Sequence, residues 1–222
     1  MAVDKRLWPA EFAGAIFDFD GTIAETHSIW HEVDQIFLGS RGIEVDLEYQ
    51  RMLSMMGFQA GARYTIERFG LRETVDEICD EWNRLGKALY HSRVHLRPGA
   101  QAYIEALRKQ GIPCALATVN DAEVLESCRH IDVRSLFDQR VYGKEVAHPK
   151  DHPDIYLEAA RRLGVAPANC IVFEDLAAGI RSAHSIGMLT CAVASNDPMQ
   201  DEQVVTQLAD IFLPDWQDIN LA

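Results

Sequence analysis

Asp18 and Asp20 stand two residues apart at the end of an apolar run, followed at once by Gly21 and Thr22. Thr118 and Asn120 follow a second such run, Lys150 precedes a helical stretch, and Glu174 and Asp175 close a third apolar run. Four carboxylates gathered at one place repel one another and resist ionisation unless a cation compensates. Mg²⁺ is suited to such a place, because it takes oxygen ligands, keeps several waters, and is typically held by one or two carboxylates together with substrate phosphate. A lysine and a threonine hydroxyl match the remaining oxygens of a phosphoryl group. On a strictly extended strand residues i and i+2 point the same way. A turn at Asp20 and Gly21 would let one carboxylate face phosphorus and the other the leaving group, so the inventory fits metal-assisted phosphoryl transfer.

These residues meet only if the apolar runs are strands of one sheet. Residues 13–19, 112–118, 170–173 and 189–194 read as buried strands, with a weaker run at 211–213. Between them, residues 98–110 place Ala102, Ile104, Ala106 and Leu107 near helical spacing after Pro98-Gly99, with Gly111 as a stop. Residues 154–163 are closed by Gly164 and residues 176–186 by Gly187, each glycine suited to a left-handed position after a helix. Strands alternating with helices predict an α/β fold, a doubly wound parallel sheet covered on both faces. Ligands of such sheets lie at the carboxyl ends of the strands, where these candidate residues fall.

Residues 25–95 interrupt the alternation. Ile29, Val33, Ile36 and Phe37 follow helical spacing, as do Val75, Ile78, Cys79, Trp82, Leu85 and Leu89, and glycines punctuate the interval. A helical subdomain inserted after the first strand is the expectation, with Met52, Met55 and Met56 as a core stripe at i, i+3, i+4.

The 222 residues are 48% hydrophobic and carry 34 acidic against 21 basic side chains, a formal charge of −13. That excess argues against nucleic-acid binding, which needs clustered Lys and Arg. No uncharged apolar stretch reaches the roughly 18 residues of a membrane span, and the first ten residues lack a signal-peptide run. Cys79, Cys114, Cys128, Cys170 and Cys191 are scattered without zinc spacing and read as reduced, buried thiols. The expectation is a cytoplasmic protein with a small-molecule partner and no nucleic-acid or membrane partner.

The run Asp18-Phe19-Asp20-Gly21-Thr22 resembles the first motif of the haloacid dehalogenase superfamily, DxDGT. Thr118 after an apolar strand resembles the second motif, Lys150 with Pro153-Asp154 the third, KxxPD, and Phe173-Glu174-Asp175 with Gly179-Ile180 the fourth. Order and spacing agree along nearly the whole chain. The resemblance implies a Rossmann-like core of residues 1–24 and 96–222 and a helical cap of residues 25–95, as in the subgroup containing β-phosphoglucomutase and many small-molecule phosphatases. It implies that Asp18 is the nucleophile forming an aspartyl-phosphate and Asp20 the general acid and base. Thr118, Asn120 and Lys150 would balance charge on the transferring phosphoryl oxygens. Mg²⁺ would be held by Asp18, the Asp20 main-chain carbonyl and Asp175, with Glu174 a ligand or a group supporting the ligands.

An acid at the second aspartate position implies phosphate monoester hydrolysis or intramolecular phosphoryl transfer. Mutases of the β-phosphoglucomutase type carry a histidine twelve positions after the nucleophile, where this chain has Trp30, with His31 one step on and rotated by about 100° on a helix. They also carry an arginine in a cap loop, where this chain reads Gly57-Phe58-Gln59-Ala60. The expectation is therefore a Mg²⁺-dependent phosphatase of a small phosphorylated metabolite, such as a sugar phosphate. A phosphomutase and a catalytically silent binding module are the alternatives. His148 and His152 beside Lys150 read as solvated loop residues, and Trp30, Phe58, Asn83 and Lys87 as cap residues facing substrate.

Overall fold

Backbone pairing turns the apolar runs into one sheet. The computed structural model describes residues 4–221 apart from Met55, Pro149 and Pro198. Its strands are β1 (Gly14–Phe17), β2 (Cys114–Thr118), β3 (Gln139–Tyr142), β4 (Cys170–Glu174), β5 (Leu189–Val193) and β6 (Ile211–Leu213). All pairings are parallel, in the order β3-β2-β1-β4-β5-β6. The chain builds outward through β2 and β3, then returns to lay β4 on the other side of β1. This is the doubly wound order, whose crevice opens where the direction of building reverses, at β1 and β4.

The helices are α1 (His27–Gly39), α2 (Leu47–Ser54), α3 (Phe58–Phe69), α4 (Val75–Arg93), α5 (Ala100–Lys109), α6 (Ala122–Leu125), α7 (Val133–Leu136), α8 (Asp154–Leu163), α9 (Ala177–Ser185) and α10 (Glu202–Leu208). Strand side chains alternate between the two helical layers, so both faces are buried. Ala15 and Phe17 join Leu116, Phe173, Trp216 and the α5 residues Tyr103 and Ile104. Ile16 joins Ala115, Val172 and the α8 residues Ile155, Tyr156 and Ala159. Gly164 ends α8 with φ +70°, the left-handed conformation anticipated for it.

The helices α1 to α4 follow β1 and surround a separate apolar cluster of Val33, Phe37, Leu38, Tyr49, Ala62, Ile78 and Trp82. Thr74 starts α4 with a capping box, its hydroxyl accepting from the Glu77 amide at 3.3 Å while Glu77 accepts from the Thr74 amide at 2.8 Å. Along α4 the buried residues Ile78, Trp82, Gly86 and Tyr90 recur every four positions, a single row on one face. An antiparallel bridge between Ala24 and Leu96 returns the chain to the sheet region.

The structure departs from the expectations in three places. Strand β3 was not anticipated: it is an outer strand whose first residues, Gln139 and Arg140, are half-exposed, so only Val141 and Tyr142 carry the apolar signal. Met52 and Met56 are half-buried and stand outside the apolar cluster, while Met55 lies outside the described residues. Among the cysteines, all free, Cys79 is half-buried and the other four are buried. No helix among the described residues is long and apolar enough to cross a membrane.

Asp34 lies on the buried face of α1, only 7% exposed, and burial pushes its carboxyl up to about 7. Between the ordinary aspartate value of about 4 and about pH 7 the folded chain holds a proton that the unfolded chain has lost. Stability therefore falls as pH rises across that window and stays low above it. Asp34→Asn, which cannot ionise, is expected to stabilise the fold at pH 8 by up to about 4 kcal/mol, and by less than half as much near pH 5. Urea unfolding at the two pH values measures this, and an equal effect at both would contradict it.

Candidate active site

The loop after β1 explains the first motif. The Asp18 amide continues the ladder to Phe173 O at 3.0 Å, and then the chain turns, with the Ile23 and Ala24 amides both donating to Phe19 O. Gly21 has φ +80°, and a Cβ there would run into the Asp175 carboxylate. A left-handed residue without a side chain is therefore required at this point. The turn sends the two aspartates to different partners, Asp18 to Lys150 and Thr22, Asp20 to Asn120 and Tyr90.

Lys150 Nζ donates both to Asp18 Oδ1 and, at 2.6 Å, to Glu174 Oε1. The Thr22 hydroxyl lies 3.2 Å from Asp18 Oδ2 and 3.3 Å from Asp175 Oδ1. Glu174 is held on both oxygens: Oε1 also accepts from Tyr156 at 3.0 Å, and Oε2 accepts from the Asp175 and Leu176 amides at 2.9 and 3.0 Å. Gly179 of α9 makes room for this arrangement, since a Cβ there would strike the Glu174 carboxylate and the Tyr156 hydroxyl. After β2, the Thr118 hydroxyl accepts from the Asn120 amide at 3.1 Å. Asn120 Oδ1 accepts from the Asp121 amide at 2.8 Å, which fixes the side-chain amide so that Nδ2 donates to Asp20 Oδ2 at 3.2 Å.

Burial dominates the electrostatics. It pushes the Asp18 carboxyl up to about 7; Lys150 opposes the rise, while Glu174 and Asp20 add to it. Burial likewise holds Asp175 well above the usual carboxylate range, with Glu174 and Asp18 acting in the same direction. For Lys150 burial works against the cation, but Asp18 and Glu174 outweigh it and hold the ammonium above its ordinary value. Asp18, Glu174 and Asp175 present oxygens within 4.8 Å of one another. Asp175 Oδ2 is buried and has no hydrogen-bond partner among the described residues. An uncompensated buried carboxylate oxygen is costly, so this donor set suits a hard divalent cation. The Asp20 carboxylate lies outside the cluster, turned to Asn120 and Tyr90.

Other candidates fall elsewhere. His148 pairs with Asp154 at 2.8 Å and faces His152 on an exposed loop, as expected of solvated histidines. Lys87 pairs with Glu123, while Asn83 is half-buried with its Oδ1 unpartnered among the described residues. Trp30 packs edge-on against Phe58 at 5.5 Å and donates its indole N–H to Tyr90 at 2.8 Å. Residue spacing gives no warning of Tyr156, nor of Gln200, whose side chain ties Asp175 O to Val193 O at 2.7 and 2.8 Å. Tyr90 does carry a signal, a phenol at the end of the buried row of α4; burial and then Asp20 push its hydroxyl well above the usual phenol value.

Known proteins resemble this chain along most of its length. A probable pseudouridine-5'-phosphatase of Drosophila melanogaster is 30% identical over 212 residues, covering 90% of this chain and 91% of its own. A phosphorylated carbohydrates phosphatase of Thermotoga maritima is 28% identical, covering 78% and 81%. The crystal structure of CbbY from Rhodobacter sphaeroides, in complex with xylulose-(1,5)bisphosphate, superposes with a TM-score of 0.80 at 25% identity over 92% of this chain and 95% of that one. The family model for haloacid dehalogenase-like hydrolases matches residues 15–193, which takes in β1 from its second residue, β2 through β5 and every candidate site residue. By that match, and by the strand order and motif positions described above, the chain belongs to the haloacid dehalogenase-like hydrolases.

Proposed function

We propose that this phosphoric monoester hydrolase is a Mg²⁺-dependent phosphatase of a small phosphorylated metabolite, a sugar phosphate being the favoured class, acting through an aspartyl-phosphate on Asp18. The observation that carries the reading is the buried group of Asp18, Lys150, Glu174 and Asp175 at the strand ends, with Asp20 turned away from it toward Asn120. The relatives that share most of the chain, named for phosphatase activity on a nucleotide and on carbohydrates, support it. Residues 25–95 form the cap in this reading and residues 1–24 and 96–222 the catalytic core, a division supported by the separate apolar cluster of α1 to α4.

The chemistry follows from the side chains. An Asp18 carboxylate oxygen attacks phosphorus, the ester P–O bond breaks, and the departing oxygen takes the proton of Asp20. A water then attacks the same phosphorus and loses a proton to Asp20. The P–O bond to Asp18 breaks and inorganic phosphate leaves. Thr118, Asn120 and Lys150 hold the phosphoryl oxygens, whose charge must be matched throughout. Asp18, the Asp20 carbonyl and Asp175 would hold Mg²⁺, which when bound supplies charge neutralisation at the phosphoryl group. Glu174, committed to four protein donors, orients Lys150 and the Asp175 loop.

The mutase reading finds less support. His31 bonds Gln35 and Gln50 on the exposed side of α1, and Trp30 occupies the space toward Tyr90. A hexose 1-phosphate is accordingly expected to release inorganic phosphate rather than to isomerise.

Asp18→Asn is expected to lower turnover of p-nitrophenyl phosphate with Mg²⁺ by about 10⁴-fold or more, as removal of a covalent nucleophile does. Substantial residual turnover would mean that another group attacks phosphorus. Dialysis against a chelator is expected to abolish activity, with recovery on adding Mg²⁺. Asp175→Asn should raise the Mg²⁺ concentration needed for half-maximal activity by about tenfold or more. Full activity in chelated protein would sink the metal assignment. A panel of phosphorylated metabolites scored by phosphate release then identifies the substrate.

A further inference from the structure

Asp20 is gripped at both oxygens by residues from two different parts of the chain. Tyr90, on α4, donates its hydroxyl to Oδ1, and Asn120, after β2, donates to Oδ2 at 3.2 Å. Tyr90 is fully buried, its ring between Phe19 at 6.4 Å and Trp30 at 5.7 Å. Its oxygen receives two further contacts, from Trp30 Nε1 at 2.8 Å and from Asn120 Nδ2 at 3.0 Å. An indole N–H and an amide NH₂ can only donate. With both directed at the phenol oxygen, the single phenol proton is left to Asp20 Oδ1, and the chain of bonds runs one way, Trp30 to Tyr90 to Asp20. Oδ1 is thereby held as the acceptor of the phenol proton, while Oδ2 accepts from the Asn120 side-chain amide, so the plane of the carboxylate is fixed from both sides.

We propose that Tyr90 is the positioning residue of Asp20: delivered by α4, its hydroxyl anchors the carboxylate at Oδ1 and so fixes the orientation in which Asp20 meets the leaving group. This rests on the reading of Asp20 as acid and base. Tyr90 keeps its own proton throughout and touches neither phosphorus nor the leaving oxygen. Trp30 supports it by filling the second acceptor position of the phenol, so the residue that stands where the mutases have histidine acts here through Tyr90. The acid is aligned only while α4 lies against the loop after β2, where Gly86 of α4 faces Val124 of α6. Alignment of the proton donor is thus tied to the seating of the helical layer.

The test compares kcat/KM for p-nitrophenyl phosphate and phenyl phosphate. The second leaving group is the poorer one and depends more on a proton donor. Tyr90→Phe removes one hydroxyl and is expected to lower kcat/KM for phenyl phosphate about tenfold more than for p-nitrophenyl phosphate, a share of the 10²–10⁴-fold typical of general acid catalysis. In an Asp20→Asn background the same change should add nothing. Equal losses on the two esters, or an undiminished effect in the Asp20→Asn background, would overturn the proposal. Asp20→Asn alone separates the two readings. If that variant shows no leaving-group dependence, the acid–base assignment fails; if it does and Tyr90→Phe does not, only the role of Tyr90 fails. Should Tyr90→Phe not fold, Trp30→Phe removes the donor to the phenol, and it is expected to discriminate in the same direction by a smaller factor, an equal loss on both esters again being fatal.

Discussion

Among the described residues, Lys150 is the single side-chain cation bonded to Asp18 and Glu174, and the Asp175 carboxylate completes the same buried group. If all four groups are ionised, one positive and three negative charges leave a net charge of −2 in a volume from which water is largely excluded. Burial resists this, and Asp18 and Asp175 are accordingly held above the usual carboxylate range. A divalent cation would remove the deficit in one step. The phosphate of a substrate would then meet a neutral site rather than a negative one, although the chain as a whole carries −13. The global field opposes an anionic ester, so attraction must be local, from Lys150, the donors after β2 and the divalent cation proposed for this group.

That charge group can form because of where the sheet ends. β1 lies between β2 and β4, so the loops carrying Asp18, Thr118 and Glu174 leave neighbouring strands at the same rim. Close approach then depends on two missing side chains. Gly21 allows the Asp18 loop to pass against Asp175, and Gly179 allows α9 to pass against Glu174 and Tyr156. Glu174 in turn binds the amides of Asp175 and Leu176 at the entrance to α9, where a carboxylate is favoured by unpaired backbone donors. Its contribution is to hold the loop that presents Asp175, which accounts for two adjacent acids at the end of β4 having unlike partners.

Much of this was readable from the chain. Apolar runs of strand length, glycine stops and acids after the runs marked the sheet, its flanking helices and the candidate residues, since each of these signals is local. β3 escaped because an outer strand buries little on its first residues, so Gln139 and Arg140 hide the period. The methionine stripe misled in the other direction: helical spacing shows that Met52 and Met56 share a face, and says nothing of whether that face is covered. Tyr90 escaped for the same reason. The helical spacing read for that segment ran through Trp82, Leu85 and Leu89 and passed over it, and its bond to Asp20 joins residues 70 positions apart on different elements, where no periodicity reports what a face meets.

The joint between α4 and the core shows which of its contacts can matter for chemistry. The Lys87–Glu123 pair is exposed, and exposed ion pairs are worth about 0–1 kcal/mol. The close packing of Gly86 with Val124 is apolar and indifferent to charge. Neither contact would register whether the site is occupied. The bonds around Tyr90 differ, because the phenol is fully buried and its proton goes to a carboxylate, and a buried polar group deprived of its partner costs about 1–3 kcal/mol. Lifting α4 with the helical layer would take the phenol from Asp20 and open it further to water; seating the layer restores the bond. The energetic reward for seating the helix is therefore concentrated on the one aspartate proposed to deliver and recover a proton, which in that reading couples exclusion of water to the alignment of the acid.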